Sequence, residues 1–101
     1  MITLALFVRL EAQPGKAAEA EAFLRAALAM ANDETTTPIW FALKLSPTTF
    51  GVFDAFHDET GRQRHLSGPI AQALMAKGPE LFVGPLNIEQ IDVLGLKNQG
   101  A

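Results

Sequence analysis

Two histidines, His57 and His65, and the carboxylates near them hold most of the acid–base chemistry available to this chain, which contains no cysteine. His65 stands in "GRQRHLSGPIAQAL", residues 61–74, just before Ser67-Gly68-Pro69 interrupts a helical pattern. Imidazole titrates near neutrality unaided, so His65 is a candidate general base or hydrogen-bonding group. The competing reading is a helix histidine that gains from the negative end of the helix dipole. Asp54 interrupts an apolar run, "TFGVFDAFH", either as a paired, half-buried carboxylate or as a base with a raised pKa, and pairing is the favoured reading. Arg9, in phase with Phe7 near the end of an alternating stretch, has donors suited to a phenolate or carboxylate at a pocket mouth. Its alternatives are solvation or pairing with Glu11 or Asp92. His57, His65, Asp54 and Asp58 are of metal-binding types but lack tight ligand spacing, so no metal is expected.

Trp40, the only tryptophan, lies in "IWFALKLS" and could wall an aromatic pocket or fill the core. Phe7, Phe53 and Phe56 carry the same two readings. Other chemistries are excluded more firmly. Lack of cysteine removes disulfides, thiolate metal sites and cysteine nucleophiles. No glycine-rich phosphate loop follows a strand and no serine elbow is present. The formal net charge is −3 and the eight Lys and Arg residues are scattered, which argues against nucleic acid. "MITLALFVRLEAQ" is too short to span a bilayer and lacks the marks of a signal peptide, so a cytoplasmic protein without membrane association is expected.

The elements that must position these groups follow from periodicity. A chain of 101 residues supports one core, here a single domain over 1–97 with a flexible tail at 98–101. Ile2, Leu4, Leu6, Val8 and Leu10 alternate with Thr3, Ala5, Phe7, Arg9 and Glu11, as in a strand ended by Pro14-Gly15. Residues 16–31 are rich in Ala, Glu and Leu, with Ala20, Phe23, Leu24, Ala27, Leu28 and Ala31 on one helical face. "NDETTTP" breaks that helix. Residues 39–46 and 49–57 read as a hairpin joined through Pro47-Thr48. Asp58 is a credible N-cap for a helix to about Ser67, and Pro69 opens a second piece to Lys77. Gly78-Pro79 and Gly84-Pro85 bracket a turn, and residues 86–97 read as a last strand.

The order β-α-β-β-α-β defines an α+β, ferredoxin-like sandwich: a four-stranded antiparallel sheet with the helices on one face. The middle strands are apolar in both phases: Trp40 and Ala42 oppose Phe41, Leu43 and Leu45, while Phe53 and Ala55 oppose Phe50, Val52 and Phe56. A sheet face left uncovered with that composition requires a partner, so a homodimer built sheet against sheet is expected.

"PGKAAEAEAF", "FGVFDAFHDETGRQRHL", "GPIAQALMAKGPELF" and "IEQIDVL" together resemble the antibiotic biosynthesis monooxygenase family of the dimeric α/β-barrel superfamily, over nearly the whole chain. The His65-Leu66 pair is the most specific part. The resemblance implies a homodimer with a pocket between sheet and helices, binding a small aromatic or quinol-like ligand, with His65 facing it. It also implies oxidation of quinol-like or polycyclic phenolic substrates by molecular oxygen, without metal or flavin. Such chemistry needs a base, donors for the substrate anion and a shielded apolar pocket. On this reading His65 and Arg9 are the catalytic candidates, and Trp40, Phe7, Phe53, Phe56 and Leu66 contact the substrate. Haem-degrading members carry an asparagine on the first strand and a tryptophan and a histidine on the second helix. Here the first strand has no asparagine, His65 stands in the tryptophan's place, and Leu74 and Met75 follow, so haem is not expected. The competing class is a non-catalytic small-molecule binding or sensing domain on the same fold.

Overall fold

The computed structural model describes residues 1–98. Its elements are β1 (Leu4–Glu11), α1 (Ala17–Asp33), β2 (Ile39–Lys44), β3 (Thr49–Phe56), α2 (Glu59–Leu66), α3 (Pro69–Leu81) and β4 (Ile88–Asp92). The strands form one antiparallel sheet in the order β2-β3-β1-β4, the ferredoxin-like arrangement. The expected tail at 98–101 lies, from residue 99 onward, outside the described residues.

Strand alternation sorts the side chains into two layers. Leu6, Val8 and Leu10 of β1 share one face with Phe50, Val52, Asp54 and Phe56 of β3, and with Trp40 of β2. This face packs on the helices: Val8, Leu10, Phe50 and Val52 join Ala20 and Leu24 of α1, and Leu81 and Phe82 at the end of α3, in the buried core. Small residues let α1 approach the sheet closely, since Ala20, Ala27 and Ala31 are all buried. Leu28, expected on that apolar face, is instead half exposed, because the buried stripe runs through Ala20, Leu24, Ala27 and Ala31 and leaves Leu28 at its edge.

Two boundaries differ from the sequence pattern. Helix α3 continues through Gly78-Pro79 to Leu81 rather than stopping at Lys77. Burial of Leu81 and Phe82 in the core, with the Phe82 amide donating to the Gly78 carbonyl at 2.7 Å, outweighs the helix-breaking tendency of Pro79. Strand β4 covers only Ile88–Asp92 of the expected 86–97, because its sole neighbour, β1, begins at Leu4, opposite Asp92. The expected break at Ser67-Gly68-Pro69 is present: α2 ends at Leu66, Gly68 is the extended N-cap of α3, and Pro69 opens α3.

Helix α2 is tied to the loop between α1 and β2 at one close approach. The Asp58 side chain accepts from the Gly61 amide at 2.9 Å, as an N-cap should, and this turn presses Gly61 against that loop. A Cβ on Gly61 would lie 2.9 Å from the Thr36 backbone oxygen. Gly61→Ala is therefore expected to destabilise by about 1–2 kcal/mol, after allowing for alanine's better helix propensity, and to lower the melting temperature by about 5–10 °C. A thermal melt followed by circular dichroism checks this.

Candidate functional site

The helix break and the sheet between them leave a cavity of about 50 Å³. Leu6, Val8, Trp40, Val52, Asp54 and Ile88 line it from the sheet, Phe23, Leu24 and Ala27 from α1, and His65, Leu66, Ile70, Ala71 and Leu74 from either side of the break. The wall is almost wholly apolar, and Asp54, His65 and the Trp40 indole are its polar members.

His65 is the centre of a buried charged relay. Its Nε2 lies 2.8 Å from Asp54 Oδ2 and its Nδ1 lies 2.7 Å from Glu34 Oε1. All three side chains are shielded, with exposures of 8 % for His65, 3 % for Asp54 and 11 % for Glu34. Each element supplies one member: Asp54 comes from the middle of β3, His65 from the last turn of α2, and Glu34 caps the C-terminus of α1. Thr37 fixes Glu34 by donating its hydroxyl to Oε1 at 2.8 Å, and the Phe56 ring packs on the imidazole at a centroid distance of 5.5 Å.

With ionised carboxylates on both sides, the imidazole satisfies both contacts only as a double donor, that is, as imidazolium. Burial is the strongest single influence on His65 and disfavours its charge. The hydrogen bond and charge of Asp54, followed by those of Glu34, more than offset it, and the pKa is raised above the ordinary 6.5. Folding thus favours the protonated ring, and this stabilisation is complete below about pH 6.5 and is lost as pH rises through the higher folded-state pKa. Urea unfolding from about pH 6 to pH 9 is expected to show stability falling across that window, and the fall is expected to be absent in His65→Gln.

The relay changes the chemical roles suggested by the sequence. Both nitrogens of His65 are engaged, so it has none free to receive a proton from a ligand. Asp54 Oδ1 and Glu34 Oε2 are both buried without a hydrogen-bond partner, but of the two residues Asp54 lines the cavity and is the acceptor available there, while its Oδ2 holds the ring. The pairing reading of Asp54 thus matches the geometry, and the pair leaves one oxygen over.

The other sequence candidates divide by sheet face. Trp40 and Leu66 reach the cavity, and Phe56 backs the imidazole from the core. Arg9, Phe7 and Phe53 are not brought to it. Phe7 pairs with Phe53, and Arg9 with Gly51, in the opposite phase from Leu6 and Asp54, so these side chains belong to the far face. Glu34 was missed by sequence reasoning, because it sits in a polar breaker run and meets His65 across 31 positions. Among the described residues, no group of three or more His, Asp and Glu side chains is arranged to hold a metal ion, since the relay carboxylates grip opposite edges of one ring.

A single α+β domain with a charged relay buried between a ferredoxin-like sheet and a broken helix defines the structural class. Within it, NE2512, a protein of unknown function from Nitrosomonas europaea, is 55% identical over 100% of this chain and 98% of its own, with a TM-score of 0.95. The chain belongs to the same family as NE2512. More distant structures share the fold. A provisionally assigned antibiotic biosynthesis monooxygenase from Caulobacter crescentus is 19% identical over 92% of this chain and 91% of its own, with a TM-score of 0.77. A second protein so assigned, from Nitrosomonas europaea, is 13% identical over 91% and 90% of the two chains, with a TM-score of 0.79. No family model and no curated protein sequence matches the chain.

Proposed function

We propose that the protein is a cytoplasmic, homodimeric oxygenase that oxidises quinol-like phenols with molecular oxygen and without a cofactor, Asp54 being the base. The observation that carries this reading is the partnerless carboxylate oxygen of Asp54, backed by His65 and Glu34, at the wall of an apolar cavity. Transfer of the phenol's hydroxyl proton to Asp54 leaves an electron-rich phenolate in a site that excludes bulk water. The phenolate gives an electron to oxygen, and the resulting radical pair joins to form a carbon–oxygen bond at a hydrogen-bearing ring carbon ortho or para to the phenolate oxygen, which in a 1,4-quinol is the ortho carbon. Loss of that carbon's hydrogen with cleavage of the O–O bond yields a quinone and water, so atoms and electrons balance. The fold shared with two provisionally assigned monooxygenases supports the same class. No helix among the described residues is long and apolar enough to cross a membrane, which is compatible with this placement.

The dimer would use the far face of the sheet. There Phe41, directly opposite Phe53, is 53 % exposed. A face of this kind is stabilised by a second apolar surface. Light scattering is expected to give twice the chain mass of 10.9 kDa, and a monomer at micromolar concentration would contradict it.

The decisive test of activity is oxygen uptake with a panel of reduced quinones and phenols, in chelator and without added flavin. Substrate-dependent uptake with stoichiometric formation of a quinone that carries one oxygen atom more than its substrate supports the oxygenase. Binding without uptake across the panel would instead establish the competing class, a small-molecule binding or sensing domain.

A further inference from the structure

Another residue of the cavity wall carries a second orphaned polar atom. Trp40 Nε1 is buried and has no hydrogen-bond partner. Trp40 lies directly opposite Asp54 in the β2–β3 ladder, and both line the cavity. Opposed residues of an antiparallel pair have Cβ atoms about 4.5–5.5 Å apart on one face, so the two residues stand side by side at the cavity wall. One is a donor only and the other, ionised, is an acceptor only. Buried polar groups seldom go unpaired, and two complementary ones left unpaired in an apolar cavity define what is missing.

The geometry points to Trp40 and Asp54 as a pair that reads a single hydroxyl group, which donates to Asp54 Oδ1 and accepts from Trp40 Nε1–H. This deepens the oxygenase reading and rests on it for the claim that the bound hydroxyl reacts. The cavity also limits the body that carries the hydroxyl. At about 50 Å³ it is well below the roughly 150 Å³ known to hold benzene. A single ring already requires the walls to move. The ligand class is therefore a one-ring phenol or quinol, narrower than the polycyclic phenols that the family resemblance also implies. A water molecule offers the same donor and acceptor, so the ligand hydroxyl gains over a methyl ether by making both bonds and not by filling more volume.

The test uses phenol, anisole and toluene, with affinities measured by ligand-observed NMR on the full chain. Phenol is expected to bind about tenfold more tightly than anisole or toluene, the difference one well-made buried hydrogen bond supplies. The preference is expected to vanish in Asp54→Asn and to narrow in Trp40→Phe, with folding of each variant checked by circular dichroism. Should one variant fail to fold, the wild-type series and the other variant still decide the matter. Equal binding of phenol and anisole, absence of phenol binding, or a preference that survives both substitutions would overturn the pair. A hydroxyl preference without oxygen uptake removes the oxygenase reading and leaves the pair standing, whereas uptake without the preference does the reverse.

Discussion

Replacing Asp54 by Asn is expected to lower oxygen uptake with the best quinol-like substrate by about 10²–10⁴-fold, the usual contribution of a positioned general base. The substitution is nearly isosteric, and its amide oxygen can still accept from His65 Nε2, so the ring keeps both contacts. What disappears is the charge and basicity of Asp54 Oδ1, the partnerless carboxylate oxygen of a residue that lines the cavity. Glu34→Gln touches only the far side of the ring, so a smaller fall of about tenfold is expected there, because Glu34 acts through His65 and never reaches the ligand. Steady-state kinetics with purified variants check both. Uptake in Asp54→Asn within about threefold of wild type would remove Asp54 as the base, and a large loss in His65→Gln alone would return the role to the histidine.

How much of this was legible in the sequence varied with the range of the interaction that fixed it. The hairpin, the amphipathic helix and the break at Ser67-Gly68-Pro69 rest on local rules, and all are present. The extension of α3 past Pro79 depended on where Leu81 and Phe82 could be buried, which no local rule reveals. At the site, an aspartate interrupting the apolar run "TFGVFDAFH" already signalled a paired, half-buried carboxylate, and the structure gives it a partner. Glu34 gave no such signal. A glutamate in "NDETTTP" is what a solvated loop contains, and only the packing of α2 against that loop brings it to the ring. The far-face assignment of Phe7, Phe53 and Arg9 follows from phase alone, but the sequence did not say which face would hold the cavity.

His65→Leu is expected to cost about 3–5 kcal/mol near neutral pH. Leucine fills similar space and packs on Phe56, so little of this loss is packing. The loss arises because Asp54 and Glu34, 3 % and 11 % exposed, remain as buried carboxylates with the cation between them removed. For a domain of this size, with total stability of about 5–15 kcal/mol, such a loss leaves a large unfolded fraction at moderate temperature. Two companion measurements separate the charge effect from a packing effect. His65→Gln keeps a donor for at least one carboxylate and is expected to lose less than half as much. Adding Asp54→Asn and Glu34→Gln to His65→Leu removes both orphaned charges and is expected to recover most of the loss, since neutral groups need only hydrogen bonds. Urea unfolding at a fixed pH reads all three. A triple variant no more stable than His65→Leu would mean that imidazole shape rather than its charge holds this part of the fold, and the charged cluster of Asp54, His65 and Glu34 would lose its physical basis along with it.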